Sequence, residues 1–227
     1  MLIEKTLAVS HFQSNCNIVA CPQTGDAVII DPGGDSAKIL ATLKEMQTRD
    51  GRPIRVRYLL HTHAHIDHAG ATRSVREALE RTQGEAPLIY MHQGDEPIYQ
   101  MIKKQAALFS LSADEPCPVD HYLLDGENIK VGQLNFEAIH TPGHSPGGTT
   151  FKLHADTNLG VRETLYTGDT IFLESIGRTD LWGGSYEQLL ESIKQKILPL
   201  NKDTRICPGH GPDTTVGHEK HNNPFLK

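Results

Sequence analysis

The chain contains no long apolar run. Purely aliphatic stretches such as Ala27-Val28-Ile29-Ile30 fall far short of the roughly 20 residues that cross a bilayer, which excludes a membrane-spanning helix. Cysteine is scarce: Cys16, Cys21, Cys117 and Cys207 form no Cys-x-x-Cys pair and are too few to staple 227 residues, so reduced thiols are expected. Positive charge is not in excess either. Twenty-two Lys and Arg against 28 Asp and Glu give a net charge of -6, and without a basic field the chain is not expected to bind nucleic acid. The start, Met1-Leu2-Ile3-Glu4-Lys5, lacks a basic stretch followed by an apolar run and does not resemble a secretory signal. A cytoplasmic location and no membrane partner are expected. No fixed-period repeat, low-complexity tract or Pro/Ser linker is visible, so one domain is expected over residues 1–227.

What is present is the composition of a folded globule. Hydrophobic residues make up 37% and charged residues 22% of the chain, enough apolar area to offset chain entropy and build a sizeable core. Short runs with β-branched residues recur at 18–20, 27–30, 57–60, 88–90, 134–139, 149–153 and 164–166. Each is bounded by Gly, Pro, Asp or Asn and reads as a strand. Apolar residues at three- and four-residue spacings predict helices over 36–48, 72–82, 96–109 and 186–198. Ser185, with Gln188 three residues on, reads as a capping box opening the last of these. The pattern predicts a mixed α/β domain with more strands than helices, and the segment 92–120 is the one candidate for a peripheral helical insert or lid.

Histidine is the anomaly. There are 13, crowded into short segments beside Gly and Pro, above all His63-Ala64-His65-Ile66-Asp67-His68 directly after the run ending at Leu60. If extended geometry persists past Leu60, residues two apart point the same way, so His63 and His65 reach one point and Asp67 with His68 suit a second. A helical zinc motif needs its two histidines four apart, so this spacing belongs to a strand-end loop. Neutral imidazole and carboxylate are the usual ligands of zinc and iron, and this density of them predicts a metal site. Three later segments hold a ligand type among turn residues: Thr141-Pro142-Gly143-His144-Ser145-Pro146-Gly147-Gly148, Thr167-Gly168-Asp169-Thr170 and Pro208-Gly209-His210-Gly211. Taken singly, His144 or His210 reads as a hydrogen-bonded loop histidine and Asp169 as a turn aspartate. In this order after the His-rich segment, they match a known pattern.

From Asp31-Pro32-Gly33-Gly34 through these motifs to Asn223-Pro224-Phe225-Leu226, the chain resembles the metallo-β-lactamase superfamily. Within it the chain resembles the glyoxalase II-like hydrolases, and among those the short bacterial form that lacks the C-terminal helical domain. The resemblance implies an αβ/βα sandwich, two facing mixed β-sheets with helices on the outer faces and a dinuclear site at one edge. It implies that His63, His65 and His144 hold one divalent metal, that Asp67, His68 and His210 hold a second, and that Asp169 bridges them. Zinc is the first expectation, with iron or manganese as alternatives. Two divalent ions, two carboxylates and a bridging hydroxide sum to about +1, which holds hydroxide near neutral pH. The implied reaction is attack of that hydroxide on a small-molecule thioester, S-lactoylglutathione or a related S-acylglutathione, with Asp67 and Asp169 as the catalytic carboxylates. A thiol of pKa near 8.5 leaves without a separate general acid. Three readings stand beside it. One is a persulfide dioxygenase with mononuclear iron on His63, His144 and Asp169, although that branch usually alters the Pro-Gly-His-Gly motif kept here. Another is a non-catalytic metal-binding domain. The third is a lactonase or nuclease sharing the ligands, the nuclease being opposed by the acidic balance.

Other residues carry lesser readings. His61 is expected to be a strand-end residue, since Asp67 sets the register of the motif, and Cys207 a buried small hydrophobe. His11, His92, His121, His140, His154, His218 and His221 lack ligand neighbours and read as structural. Asp31 opens a turn and has the chemistry to support the ligand shell by hydrogen bonding. Arg178, in Gly177-Arg178-Thr179-Asp180, either grips a glutathione carboxylate, as the resemblance implies, or merely pairs with Asp180. Tyr99, Met101 and Phe109 are candidates to cover the substrate, with core packing as the alternative.

Overall fold

The computed structural model describes residues 1–227. Two six-stranded sheets face each other. The first holds β1 (Ile3–Val9), β2 (Ser14–Ala20), β3 (Asp26–Ile30), β4 (Arg55–Leu60), β5 (Leu88–His92) and β6 (His121–Leu123) in that spatial order, antiparallel from β1 to β3 and parallel from β3 to β6. The second runs β7 (Glu127–Val131), β8 (Leu134–His140), β9 (Thr149–Leu153), β10 (Thr164–Gly168), β13 (Arg205–Pro208) and β14 (Thr214–Thr215), with only the β10–β13 pair parallel. Between β10 and β13 in sequence, β11 (Ile171–Phe172) and β12 (Ser175–Ile176) form a separate hairpin.

Helices α1 (Ser36–Glu45) and α3 (Thr72–Gln83) cover the outer face of the first sheet. The outer face of the second is covered by α6 (Tyr186–Ser192), which continues as a π-helix over Ile193–Ile197, and by α7 (Val216–Asn222). Side chains two apart share a face. Val28 and Ile30 therefore pack between the sheets while Ala27 and Ile29 meet the helices, and Tyr166 and Leu165 divide in the same way across the second sheet. Strands buried on both faces read as unbroken apolar runs, which is why β3 stood out in the sequence. All four cysteines are free and buried, with Cys207 among the side chains between the sheets. No helix is long and apolar enough to cross a membrane.

Three short helices, α2 (Ile66–Ala69), α4 (Glu96–Gln100) and α5 (Ile102–Leu108), pack together at one edge of the sandwich. The single helix expected over 96–109 is thus broken. The Ile98 carbonyl, which a continuous helix would give to the Ile102 N–H, accepts instead from the Met101 N–H and from Gln105 Nε2. Tyr99 falls on the buried side of this layer at 1% exposure, whereas Met101 and Phe109 face the cavity at its edge. The covering role expected of the three therefore remains open only to the last two.

Candidate metal centre

The seven ligand-type side chains lie at one edge of the sandwich, on loops leaving strands of both sheets. His63 and His65 follow β4, Asp67 and His68 sit on the turn of α2, His144 lies between β8 and β9, Asp169 follows β10 and His210 follows β13. The strand ends at Leu60, but His65, at the N-cap position of α2, keeps an extended backbone at φ -69° and ψ 154°. His63 and His65 still converge, with ring centroids 4.8 Å apart. Two triads form, His63/His65/His144 and Asp67/His68/His210, each with its ligand atoms within 4.8 Å of one another. His65 Nδ1 stands 2.9 Å from His144 Nε2. His210 Nε2 lies 3.1 Å from Asp67 Oδ2 and 3.4 Å from His68 Nε2. Asp169 sits between the triads, with Oδ1 3.4 Å from His68 Nε2 and Oδ2 3.6 Å from His144 Nε2.

The positions of the protons show that these groups suit cations. His144 Nδ1 lies 2.7 Å from the Arg178 carbonyl, which only accepts, so this nitrogen carries the proton and the Nε2 lone pair faces inward. His68 Nδ1 donates to Asp31 Oδ2 at 2.9 Å. His63 Nδ1 donates to Thr62 Oγ1 at 3.0 Å, whose own proton goes to Asp31 Oδ2 at 2.6 Å. Three Nε2 atoms are thereby turned into the cluster. His63 Nε2 and Asp169 Oδ1 are buried there without any hydrogen-bond partner, a condition that costs about 1–3 kcal/mol per atom unless a cation satisfies it. Imidazole and carboxylate donors fit zinc, iron or manganese.

Charge follows the same logic. Burial, reinforced by neighbouring histidines, drives His63 well below its ordinary pKa and His65 down to about 3, keeping both neutral. Burial opposes ionisation of Asp67 and Asp169, but His68 and its neighbours outweigh it and hold both carboxyls below the usual range. Burial likewise opposes a charge on His68, yet Asp67 and Asp169 raise its pKa well above normal. The cluster therefore demands positive charge, and most of its ligands already stand in the protonation state that metal binding requires.

The model of the family described as Metallo-beta-lactamase superfamily matches residues 9–210, a span that includes all seven side chains. The chain belongs to the metallo-beta-lactamase superfamily. A Haemophilus influenzae protein named hydroxyacylglutathione hydrolase GloC is 35% identical over 221 residues, covering 97% of this chain and 96% of its own. Among solved structures, the BLEG-1 B3 metallo-beta-lactamase is similar at TM-score 0.83 and 34% identity over 99% of both chains. TTHA1623 in a di-iron-bound form is similar at TM-score 0.79 and 35% identity, over 98% of this chain and 100% of that one. Members of this metallo-hydrolase superfamily bind divalent metals, and the αβ/βα sandwich implied by the motifs is the fold observed.

Several side chains that steady the superfamily's motif loops carried no sequence signal of their own. Asp95, fully buried, accepts from the Ala64 N–H, the Ser145 hydroxyl and the Gly147 N–H, and so ties the His63–His65 loop to the His144 loop. Ser14 Oγ donates to the Asp67 carbonyl, while Asn15 Nδ2 donates to the Pro208 and Gly211 carbonyls on either side of His210. Asp31 combines the two roles weighed for it, as a left-handed turn residue at φ 55° and as the anchor of His68. It lies within ligand reach of His63 and His68, but its oxygens are already taken by the Thr62 N–H, the Thr62 hydroxyl and His68. Gly209 has no room for a Cβ, which would strike Asp169 Oδ1. His61 is buried outside both triads with Nε2 3.3 Å from Thr72 Oγ1. Arg178 lines the cavity, with its guanidinium paired to Asp180 through two hydrogen bonds at 2.7 and 2.8 Å.

His92 and His140 stack with ring centroids 3.9 Å apart, and His92 Nδ1 accepts from the Gly94 N–H in the turn leading to Asp95. Burial and then His140 lower the His92 pKa to about 4. Unfolded histidine titrates near 6.5, so below that pH the unfolded chain takes up a proton that the folded one refuses. The stability tied to neutral His92 is fully present above about pH 6.5 and is lost as pH falls towards about 4. His92→Gln is expected to flatten part of that loss, read as Tm against pH. An unchanged profile would assign the loss elsewhere.

Proposed function

We propose that this superfamily member is a dinuclear thioester hydrolase of glyoxalase II type, acting on S-lactoylglutathione or related S-acylglutathiones. The carrying observation is the pair of triads with Asp169 between them. A mononuclear iron site on His63, His144 and Asp169 would leave Asp67, His68 and His210 converged to no purpose. The 35% identity to GloC supports the substrate class. Seven donors exceed the four that one tetrahedral site takes.

In hydrolysis, water adds across the C–S bond. The acyl carbon gains an oxygen, the C–S electron pair leaves on sulfur, and a proton is released. Two divalent ions held by His63/His65/His144 and Asp67/His68/His210, zinc first among them, would supply hydroxide near neutral pH and polarise the carbonyl. The residues' own work is orientation. The Arg178 carbonyl and Asp31 fix the His144 and His68 rings, and Asp67 and Asp169 set the charge of the cluster. The thiolate leaves unaided, its pKa being close to ambient pH.

The test is elemental analysis combined with turnover. About two divalent ions per chain are expected, together with cleavage of S-lactoylglutathione that chelation abolishes and added zinc restores. A fixed stoichiometry of one iron, with oxygen uptake on a persulfide, would overturn the proposal in favour of a dioxygenase.

A further inference from the structure

The cavity over the candidate ligands has a volume of about 710 Å³ and a wall that is apolar far beyond the needs of a lactoyl group. Phe12, Met101, Leu108, Phe109, Leu181 and Trp182 line it, together with His65, Asp67, His144, Asp169 and His210. Phe12 and Phe109 meet edge to face with centroids 5.0 Å apart, joining the loop after β1 to the end of α5. The wall continues to the ligands, since the Phe172 ring lies 6.2 Å from the ring of His210. Leu108, Phe109 and Trp182 are 82%, 55% and 61% exposed. Large apolar side chains gathered in water at the lip of a site, rather than scattered singly, mark a surface that binds apolar matter.

The polar groups of the same wall are few and mostly engaged. Apart from the candidate ligands they are Lys104, Gln105 and Arg178. Gln105 is spent on the backbone of Ala64, Ile66 and Ile98. Arg178 is paired with Asp180. Lys104 is left to meet a carboxylate of the thiol part, while a hydrocarbon chain finds a continuous wall ending at the candidate ligands.

The geometry points to an acyl subsite: the cavity selects thioesters whose acyl chain is apolar and several carbons long, laid along the Phe12, Phe109 and Trp182 wall with the carbonyl at the candidate ligands. This deepens the thioesterase reading and rests on it. Trp182 is the only tryptophan of the chain, so its fluorescence reports the occupancy of this wall directly.

The experiment uses the metal-loaded protein and one small neutral thiol, N-acetylcysteamine. Thioesters of that thiol with acetyl to octanoyl chains are assayed for turnover. The matching non-hydrolysable S-alkyl thioethers are titrated against Trp182 emission and by calorimetry. Burial of each methylene is expected to raise kcat/KM and affinity about two- to fourfold, with a blue shift of Trp182 that grows with chain length. Phe109→Ala and Trp182→Ala, at positions exposed enough to fold normally, are expected to flatten both slopes. Slopes already flat in the unaltered protein, with the acetyl or S-lactoyl compound cleaved as well as the octanoyl one, would overturn the subsite and leave the thioesterase standing. Thioether affinity that climbs with chain length while neither these thioesters nor S-lactoylglutathione is cleaved would overturn the thioesterase and leave the subsite. No thioether binding, with no cleavage of these thioesters or of S-lactoylglutathione, would overturn both.

Discussion

Asp169→Ala is expected to abolish hydrolysis and to empty both metal positions at once, an effect no other single ligand should produce. Its carboxylate spans the two triads, with Oδ1 towards His68 of one and Oδ2 between His144 of the other and His210. Its buried Oδ1 has no hydrogen-bond partner in the protein, so it serves no structural bond that would explain its place. Loss of a group that merely supports a ligand costs about 10–100-fold in affinity or activity, and loss of a shared ligand should exceed the upper end of that range. His65→Ala, by contrast, removes a donor from one triad only and should lower occupancy of one ion first. The two variants are compared by elemental analysis after exhaustive dialysis, with circular dichroism of the chelated proteins to separate site loss from misfolding. An Asp169→Ala protein that retains two ions, or one that loses a single ion and keeps its rate, would remove Asp169 from the bridging position.

The candidate ligands were legible in the sequence because chemistry restricts metal donors to a few residue types and these stand at strand ends beside Gly and Pro. The central strands were legible because both of their faces are buried, as in β3, where neighbouring apolar residues serve different cores. Elements held by other means left no such trace. In β1 the half-buried Ile3 and Leu7 are interrupted by exposed residues along a sheet edge, so no apolar run forms. Helix α7 has a single apolar side chain, the buried Val216. It is held by the Thr215 cap and by buried Glu219, which accepts from Thr214, Glu174 and Asn223. At the break at Met101 the Ile98 carbonyl accepts from the Met101 N–H and from the Gln105 side chain, contacts that periodicity does not record. Support for the ligands was least legible of all, because much of it comes from backbone atoms that any residue offers. Arg178 drew notice for its guanidinium, yet its carbonyl is what orients His144.

Asp95→Asn is expected to weaken metal binding at the His63/His65/His144 triad about 10–100-fold, although Asp95 touches no metal ligand side chain. The carboxylate accepts from three donors, Ala64 N–H at 2.9 Å and Ser145 Oγ at 2.9 Å on Oδ2, and Gly147 N–H at 2.5 Å on Oδ1. Ala64 lies between His63 and His65, and Ser145 follows His144, so this one side chain sets the spacing of the loops that carry the triad. Asparagine is nearly the same size but can present only one accepting oxygen. Whichever way its amide turns, the NH2 group faces a backbone N–H, that of Gly147 in one orientation or that of Ala64 in the other. Asp95 is completely buried, so the displaced N–H finds no water. With hydrogen bonds to a charged group worth about 1.5–3 kcal/mol each, one lost and the others weakened should cost about 2–4 kcal/mol. In a chain of this size that corresponds to a fall in Tm of roughly 5–15 °C. Ser145→Ala removes only the hydroxyl donor and leaves both backbone bonds, so it should produce the milder form of both effects. Metal titration and thermal unfolding of the two variants are therefore read together. A lowered Tm with unchanged metal affinity would make Asp95 a packing residue only, and wild-type values of both would show that the loops keep their spacing without it.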